Sequence, residues 1–229
     1  MIKKYSLLLS LTMGIFTLQA QNFMEGFDRF SSKKIAYLTL TDGTKVEGDI
    51  ADLDRKKGNI SEVTLNVNGK KKSFAPEQIK EMYLPASGLD KFSKQMEVAT
   101  NLSKELNNER VSDGYGYFEY TDVDLKGKVK PLLMQLVNVG FHTKIRVYFN
   151  PFASETMSMG VGPMKVGGID KSYFVKVGNK PAYKISKGDY DDQSKELFNS
   201  CPAAMAALKK DSDWNKFERI IYAHFLNCK

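Results

Sequence analysis

Residues 34–86 restrict the fold most, because short runs there alternate between apolar and polar residues. "KIAYLTLTDGTKVEGDIADL" alternates on both sides of Asp42-Gly43, and "SEVTLNVNGKKKSFAP" alternates around Asn68-Gly69. Such pairs favour tight hairpin turns, because both central residues of a type I′ turn need positive φ. Residues 76–79 predict one helical turn before a closing strand. Five short strands joined by tight turns predict a small β-barrel-like domain over residues 34–86, with a strongly bent sheet as the alternative.

Residues 87–109 have the period of a helix and not of a strand. Apolar residues recur at spacings of three and four, which predicts one apolar face of a linking amphipathic helix: Leu89, Phe92, Met96, Ala99, Leu102 and Leu106. Such a face packs on a sheet or binds a membrane surface. The mixed charges of the polar face favour packing on the sheet.

Strand signals return over residues 110–188. Five runs are rich in β-branched and aromatic residues, namely "YGYFEYTDVDL", "KPLLMQLVN", "TKIRVYFN", "KSYFVKV" and "KPAYKISKGDY". They predict an antiparallel sheet domain of five to seven strands. The Gly- and Met-rich stretch "PFASETMSMGVGPMKVGGID" interrupts them. Its Met157, Met159 and Met164 are a candidate contact surface, although packing is the commoner role of methionine.

Residues 189–229 predict a helical tail, with helices over Asp191–Phe198, Pro202–Lys209 and Trp214–Leu226. Proline suits a first helical turn, so Cys201 is expected near the N-cap of the second helix. Four apolar residues fall on one face of the last helix: Trp214, Phe217, Ile221 and Phe225.

The first 20 residues have the pattern of a secretory signal peptide. A charged start is followed by an apolar run, and the small residue Ala20 precedes the expected cleavage. The apolar run is shorter than the roughly 20 residues that span a bilayer. The mature chain is therefore expected to begin at Gln21, with residues 21–33 as an N-terminal segment, and no later transmembrane segment is predicted. This places the protein in the periplasm or outside the cell.

The chain has two cysteines, Cys201 and Cys228, and both lie in the predicted tail. Outside the cytosol a cysteine pair normally oxidises, so a structural disulfide is expected to clamp a helical hairpin. Free thiols and a redox or metal pair are the alternatives. The spacing is not that of a redox CxxC motif, and structural zinc usually has four ligands.

The net charge of +7 is moderately basic. For an exported protein, anionic lipids or acidic glycans are more available partners than nucleic acid. Two clusters are candidate anion-binding residues, the first in a predicted loop and the second after the Asn68-Gly69 turn: Arg55, Lys56 and Lys57, and Lys70, Lys71 and Lys72. They would form one patch if the two loops lie at the same end. The alternative is that these cations only serve solubility.

No catalytic motif, metal-ligand set or cofactor-binding motif is predicted. The two histidines, His142 and His224, stand in no recognisable catalytic context, and no Gly-x-Ser-x-Gly elbow occurs. "GVGPMKVGG" lacks the strand-to-helix context of a dinucleotide site. The acidic groups around Asp122 and Asp189 lack the EF-hand pattern, and surface charge is their commoner role.

The hairpin "LTLTDGTKVEGDI" resembles the opening of Sm-like and SH3-like small barrels. The order of elements is also similar to a family of uncharacterised secreted proteins of Bacteroidota-type bacteria. That resemblance is carried by this hairpin, by "GKKKSFAPEQIKEMYLP", by the "YFVKV" and "AYKISKGDY" pair, and by "LFNSCPAAMAAL" with a terminal cysteine. It implies location and architecture, and it implies no activity or site.

Together these features predict an α+β, mainly β protein with a small β-barrel, a linking helix, an antiparallel sheet and a disulfide-linked helical hairpin. We expect an exported non-enzymatic envelope or secreted module that binds a protein, a glycan or an anionic lipid surface, and no nucleic acid. A hydrolytic enzyme acting on an extracellular polymer is the alternative.

Overall fold

The computed structural model of the chain describes residues 23–24, 26–27, 29–87, 109–153 and 170–228. The predicted signal peptide and the mature N-terminus at Gln21 lie outside the described residues, as do residues 88–108 of the predicted linking helix. The same holds for residues 154–169, which include the three methionines of the candidate contact surface. Within the described part of the chain, no helix has both the length and the apolar character needed to cross a membrane.

One open sheet of ten strands dominates the described residues, and each adjacent pair is antiparallel. The strands are β1 Ile35–Leu40, β2 Lys45–Lys56, β3 Asn59–Val67, β4 Lys70–Phe74, β5 Ile79–Pro85, β6 Tyr115–Asp124, β7 Val129–Leu136, β8 Ile145–Phe149, β9 Ser172–Val177 and β10 Tyr183–Ser186. Their order across the sheet is β10-β9-β8-β7-β6-β5-β1-β2-β3-β4. The mainly β prediction is confirmed.

The first five strands match the predicted strands, but they do not form a closed barrel. They curl around a shared core that includes Leu38, Leu65, Phe74 and Met82. Two register shifts between β2 and β3, one with an extra residue in each strand, allow the curl, because extra residues bend a strand. β5 hydrogen-bonds to β6 and not to β4. Phe118 of β6 and Leu133 of β7 join the same core. The small barrel of the prediction is therefore not closed, and these strands form the alternative, a strongly bent sheet, whose core is shared with the next strands.

The turns of this region follow local backbone chemistry. Asn68 and Gly69 both have positive φ, 51° and 76°, as a type I′ turn requires. Asp42-Gly43 differs, because only Gly43 has positive φ and the loop runs over four residues between β1 and β2. Lys57 and Gly58, at φ 47° and 69°, make a second turn of the type I′ kind that the sequence analysis did not identify. The predicted helical turn is present as a 3-10 turn at Pro76–Gln78.

Four helices complete the described structure: α1 Glu109–Ser112, α2 Tyr190–Phe198, α3 Pro202–Lys210 and α4 Phe217–Asn227. A 3-10 turn at Trp214–Lys216 leads into α4. The last three helices confirm the predicted tail, and they pack on one face of β8, β9 and β10. The core of this face, called here the C-terminal core, includes Val147, Val175, Phe198, Leu208 and Phe217.

The predicted disulfide between Cys201 and Cys228 is present, with 5.6 Å between the Cα atoms. Cys201 is the N-cap of α3, and its Sγ accepts a hydrogen bond from the backbone N–H of Ala204 at 3.3 Å. Cys228 follows α4 directly. The bond thus joins the start of α3 to the end of α4, and this confirms the predicted clamp of the hairpin.

A segment with no predicted structure crosses the sheet ahead of β1. Its backbone bonds to both halves of the fold, since the N–H of Met24 donates to the carbonyl of Val137 at 2.8 Å and the N–H of Ser31 donates to that of Pro85 at 2.8 Å. Phe23 is 8% exposed and lies in the C-terminal core. We call the described residues from 23 to 31 the N-terminal strap.

Glu218 of α4 anchors the start of this strap, because its Oε2 accepts the backbone N–H of Phe23 at 3.2 Å. Burial raises the pKa of Glu218 to about 7, and the nearby Asp170 carboxylate raises it further. The Phe23 N–H opposes this shift, since it favours the charged form.

The raised pKa of Glu218 predicts that stability falls as pH rises from about 4.5 to above 7. In this window the folded state holds a proton that the unfolded state has released, so deprotonation favours unfolding. The difference between the two pKa values corresponds to at most about 3 kcal/mol. Urea unfolding between pH 4.5 and 8 should show this slope in the wild type and lose it in Glu218→Gln. The same substitution at the exposed Glu196 should keep the slope, and an equal slope in Glu218→Gln would contradict the assignment.

Candidate functional site

The two predicted basic clusters lie at opposite ends of β3. Lys56 pairs with Asn59 at one end, and Lys72 pairs with Leu65 further along. Six residues of strand separate Asn59 from Leu65, which is about 20 Å at the usual rise of an extended chain. The structure therefore does not bring the clusters into one patch, and anion binding by either of them stays a prediction.

Arg55 has structural partners of its own. Its guanidinium donates to the carbonyl of Gly58 at 2.8 Å and lies within 3.5 Å of the carbonyl of Phe27. It also sits 5.8 Å from the ring centroid of Phe30, in the range of a cation–π contact. These contacts tie the β2–β3 turn to the N-terminal strap, whereas Lys56 and Lys57 are exposed.

Lys70, Lys71 and Lys72 lie on β4, which is an edge strand of the sheet. Lys72 is paired with the buried Leu65. Its side chain therefore leaves β4 on the face of the sheet that carries the core. Charged residues on an edge strand, above all lysines that point inward, prevent other strands from pairing with it. This protection of the edge explains the second basic cluster without a ligand.

A different group of lysines surrounds a recess of about 550 Å³ beside β9 and β10. The described residues that line it include no Asp or Glu, although the hydroxyl of the lining residue Ser186 donates to Asp189 at 2.6 Å. The lining residues are Phe152, Ala153, Lys171, Ser172, Lys184, Ser186, Lys187 and Gly188. The three lysines are exposed, and Phe152 is exposed to 62%. We call this feature the lysine recess.

Hydrogen bonds fix the walls of the lysine recess. The side chain of Asn150 donates to Ser172 Oγ at 2.9 Å and accepts the N–H of Phe152 at 3.1 Å. The N–H of Lys187 donates to the carbonyl of Lys171 at 2.9 Å, which joins the two sides. Asn150 is 4% exposed, so the backbone of Phe152 is held by a buried polar side chain.

The sequence analysis did not find the lysine recess, because its cations are isolated in the sequence. Lys171 precedes β9, Lys184 lies in β10 and Lys187 follows β10. Antiparallel pairing of β9 with β10 brings them together, with Ser186 opposite Ser172. The one sequence feature that could have indicated the recess is a hairpin between the "KSYFVKV" and "AYKISKGDY" runs, which carry the three lysines.

A carboxylate pair lies on another part of the sheet, where Glu81 of β5 is directly opposite Glu119 of β6. Like charges in this arrangement repel each other unless donors surround them. Thr39 Oγ1 donates to Glu81 at 3.3 Å, and the hydroxyl of Tyr117 donates to it at 2.9 Å.

Glu119 is held in the same way. The hydroxyl of Tyr148 donates to Glu119 Oε1, and Arg146 Nε lies 3.2 Å from the same oxygen. Burial and the nearby carboxylates raise the pKa of Tyr117 and of Tyr148 well above the usual range of tyrosine. Both phenols therefore stay protonated as donors, and both carboxylates serve as hydrogen-bond acceptors within the sheet.

The two histidines have separate surroundings. The ring of His142 bonds to the carbonyl of Val139, and burial lowers the pKa of this histidine. His224 is 8% exposed and lies against the disulfide. Burial lowers its pKa too, and Lys144 lowers it further. One ring nitrogen of His224 and the sulfur atoms of Cys201 and Cys228 all lie within 4.8 Å of one another.

Comparison of the chain with protein-family models, with curated proteins and with solved structures found no match.

Proposed function

We propose that the chain is an exported, non-enzymatic module that binds an acidic glycan in the lysine recess. The observation that carries this proposal is the convergence of Lys171, Lys184 and Lys187 on one recess whose described lining residues include no carboxylate. Such a surface favours anionic groups, since the positive potentials of the three ammonium groups add within the recess.

The shape of the recess favours a sugar over a flat lipid surface. Its volume of about 550 Å³ is in the range of small-ligand sites. The exposed ring of Phe152 offers an apolar face for a sugar ring, while the three lysines offer donors for carboxylate and hydroxyl groups.

Export is supported by the N-terminal sequence pattern and by the disulfide, because disulfides persist mainly outside the cytosol. The non-enzymatic role is supported by the engagement of Glu81 and Glu119 with neighbouring donors. We further propose that β1–β5 are related to small barrels, on the hairpin whose sequence resembles theirs. We also propose that the chain belongs with the secreted Bacteroidota-type proteins that its sequence resembles.

A pair of triple variants tests the site. Lys171, Lys184 and Lys187 are changed to Gln in one protein, and Lys70, Lys71 and Lys72 in the other. Both lose three positive charges, so diffuse attraction falls equally. Binding of a uronic-acid oligosaccharide is measured by calorimetry at low salt. It should weaken about tenfold or more in the recess variant, because each lost ion pair between a lysine and a carboxylate costs about 0.5–1 kcal/mol. The edge variant should bind within about twofold of the wild type.

Three outcomes would contradict the proposal. Equal weakening in both variants would indicate diffuse charge attraction. Equal affinity for a neutral oligosaccharide of the same length would exclude recognition of the anion. Binding of the wild type to phosphatidylglycerol vesicles, without binding of the oligosaccharide, would assign the lysines to a lipid surface. Thermal unfolding of both variants should match the wild type, because all six lysines are exposed.

A further inference from the structure

Three potential metal ligands meet beside the C-terminal core. The sulfur atoms of Cys201 and Cys228 and a ring nitrogen of His224 lie within 4.8 Å of one another. All three residues are buried, at 1%, 8% and 8% exposure. The sequence analysis set aside a metal site because structural zinc usually has four ligands, and it did not place His224 with the cysteines.

The helix ends hold these three groups in place. His224 and Cys228 are four residues apart at the end of α4, and the N–H of Cys228 donates to the carbonyl of His224 at 3.0 Å. Cys201 is fixed as the N-cap of α3. Residues of a tetrahedral zinc site hold ligand atoms at about 2.0–2.3 Å from the metal. Neighbouring ligand atoms are then less than about 4 Å apart. The two sulfur atoms, which are bonded to each other in the oxidised protein, must separate to that spacing on reduction, whereas the His224 nitrogen already lies within 4.8 Å of both.

The chemistry of the three groups suits a thiophilic cation. Thiolates bind Zn²⁺ and Cu⁺ in preference to hard cations. The Ala204 N–H that points at Cys201 Sγ at 3.3 Å favours the thiolate there, since a helix N-terminus stabilises negative charge. A histidine ring nitrogen is a common ligand of the same cations. The geometry and the ligand types thus point in the same direction.

We propose that Cys201, Cys228 and His224 bind a thiophilic d¹⁰ cation, Zn²⁺ or Cu⁺, when the disulfide is reduced. A phosphine reductant supplies two electrons, the S–S bond breaks, and two thiols form while the phosphine becomes its oxide with oxygen from water. Metal binding then releases one proton from each thiol. The tail can therefore be closed in two ways, by a disulfide when oxidised and by a metal when reduced.

The number of protein ligands distinguishes the two cations. With Zn²⁺, three protein ligands leave a fourth position for water, as in open zinc sites. With Cu⁺, three ligands complete a trigonal site. The described residues supply no fourth His, Cys, Asp or Glu ligand to the cluster.

The test uses the full protein, reduced with phosphine under anaerobic conditions. Co²⁺ is the spectroscopic probe for the zinc site, and a bathocuproine competition measures Cu⁺. We expect one metal per chain, thiolate-to-cobalt charge-transfer absorption, and displacement of Co²⁺ by Zn²⁺. The bound metal should also raise the Tm of the reduced protein, because it binds the folded state preferentially.

Two histidine variants give the decisive comparison. His224→Asn should weaken metal binding at least about tenfold, whereas His142→Asn should leave it unchanged. The oxidised form of each variant is checked by circular dichroism and by Tm, so that a folding defect is recognised. A reduced wild type that binds no metal would overturn the proposal, as would equal affinities of the two variants. Cys201→Ser with Cys228→Ser should abolish binding, and metal binding by that variant would overturn it as well.

Discussion

Replacing Cys201 and Cys228 together with serine is expected to lower the free energy of unfolding by about 3–4 kcal/mol. The disulfide joins residues 27 positions apart, and a cross-link over a loop of this size removes much of the freedom of the unfolded chain. The double variant avoids a lone thiol that could form dimers. Urea unfolding followed by circular dichroism gives the change in free energy. Reduction of the wild type without metal should produce a similar loss.

The local consequence of losing the bond should be confined to the tail. α3 and α4 have nine and eleven residues, and isolated helices of this length are marginal in water. They are held by the C-terminal core and by the disulfide at the ends of the hairpin. Limited proteolysis should therefore cut faster within residues 199–228, while the core of β1–β5 stays protected. A change below about 1 kcal/mol, or faster cutting throughout the chain, would contradict a clamp that acts on the tail.

The sequence predicted best what depends on neighbouring residues. Asn68-Gly69 forms the expected turn, because both residues tolerate positive φ and the strands on either side are short. The tail helices begin and end within one residue of their predicted positions, except that α4 begins three residues after the predicted Trp214, behind the 3-10 turn Trp214–Lys216. Pro202 starts α3, and the apolar period marks each buried face. The disulfide followed from the cysteine count together with the expected compartment.

Long-range pairing is what the local pattern could not supply. Closure of a barrel depends on whether β5 pairs with β4 or with a strand beyond, and the alternation of β5 is the same in either case. Phe118 and Leu133 complete the core of β1–β5, and both belong to the predicted second domain. A boundary drawn at residue 86 on the sequence therefore runs through a continuous sheet.

The candidate sites show the same limit. Lys70, Lys71 and Lys72 are conspicuous in the sequence because they are contiguous, yet the structure places them on an exposed edge. The lysine recess joins residues that precede β9, lie in β10 and follow β10, so no short motif marks it. The metal-ligand cluster likewise needs the end of α4 to meet the start of α3.

Phe23→Ala is expected to be the most destabilising single substitution considered, at about 3–5 kcal/mol. The ring of Phe23 lies 5.2 Å from that of Tyr173 and 5.7 Å from that of Phe217, both edge-on, and 6.1 Å from that of Phe141. Removing it leaves a cavity among groups from β9, α4 and the 3-10 turn Val139–Phe141, which cannot all move inward together.

Phe152→Ala is the matched control, because the same atoms are removed from a ring that is 62% exposed instead of 8%. Surface substitutions of this kind change stability by less than about 0.5 kcal/mol. Urea unfolding of the two variants therefore separates the effect of burying the ring from the effect of changing phenylalanine to alanine. If the free energies of unfolding of Phe23→Ala and Phe152→Ala differ by less than about 1 kcal/mol, the N-terminal strap is not part of the C-terminal core.

The strap also links this substitution to the titration of Glu218. The Phe23 N–H contact and the surrounding burial act on that carboxylate in opposite directions, and burial is the larger effect. In Phe23→Ala the cavity admits water to Glu218, so its pKa should move back toward 4.5 and the fall of stability above pH 4.5 should flatten. In Phe152→Ala the slope should remain. A Phe23→Ala protein that is destabilised but keeps the full slope would show that Glu218 is buried by α4 and its neighbours alone.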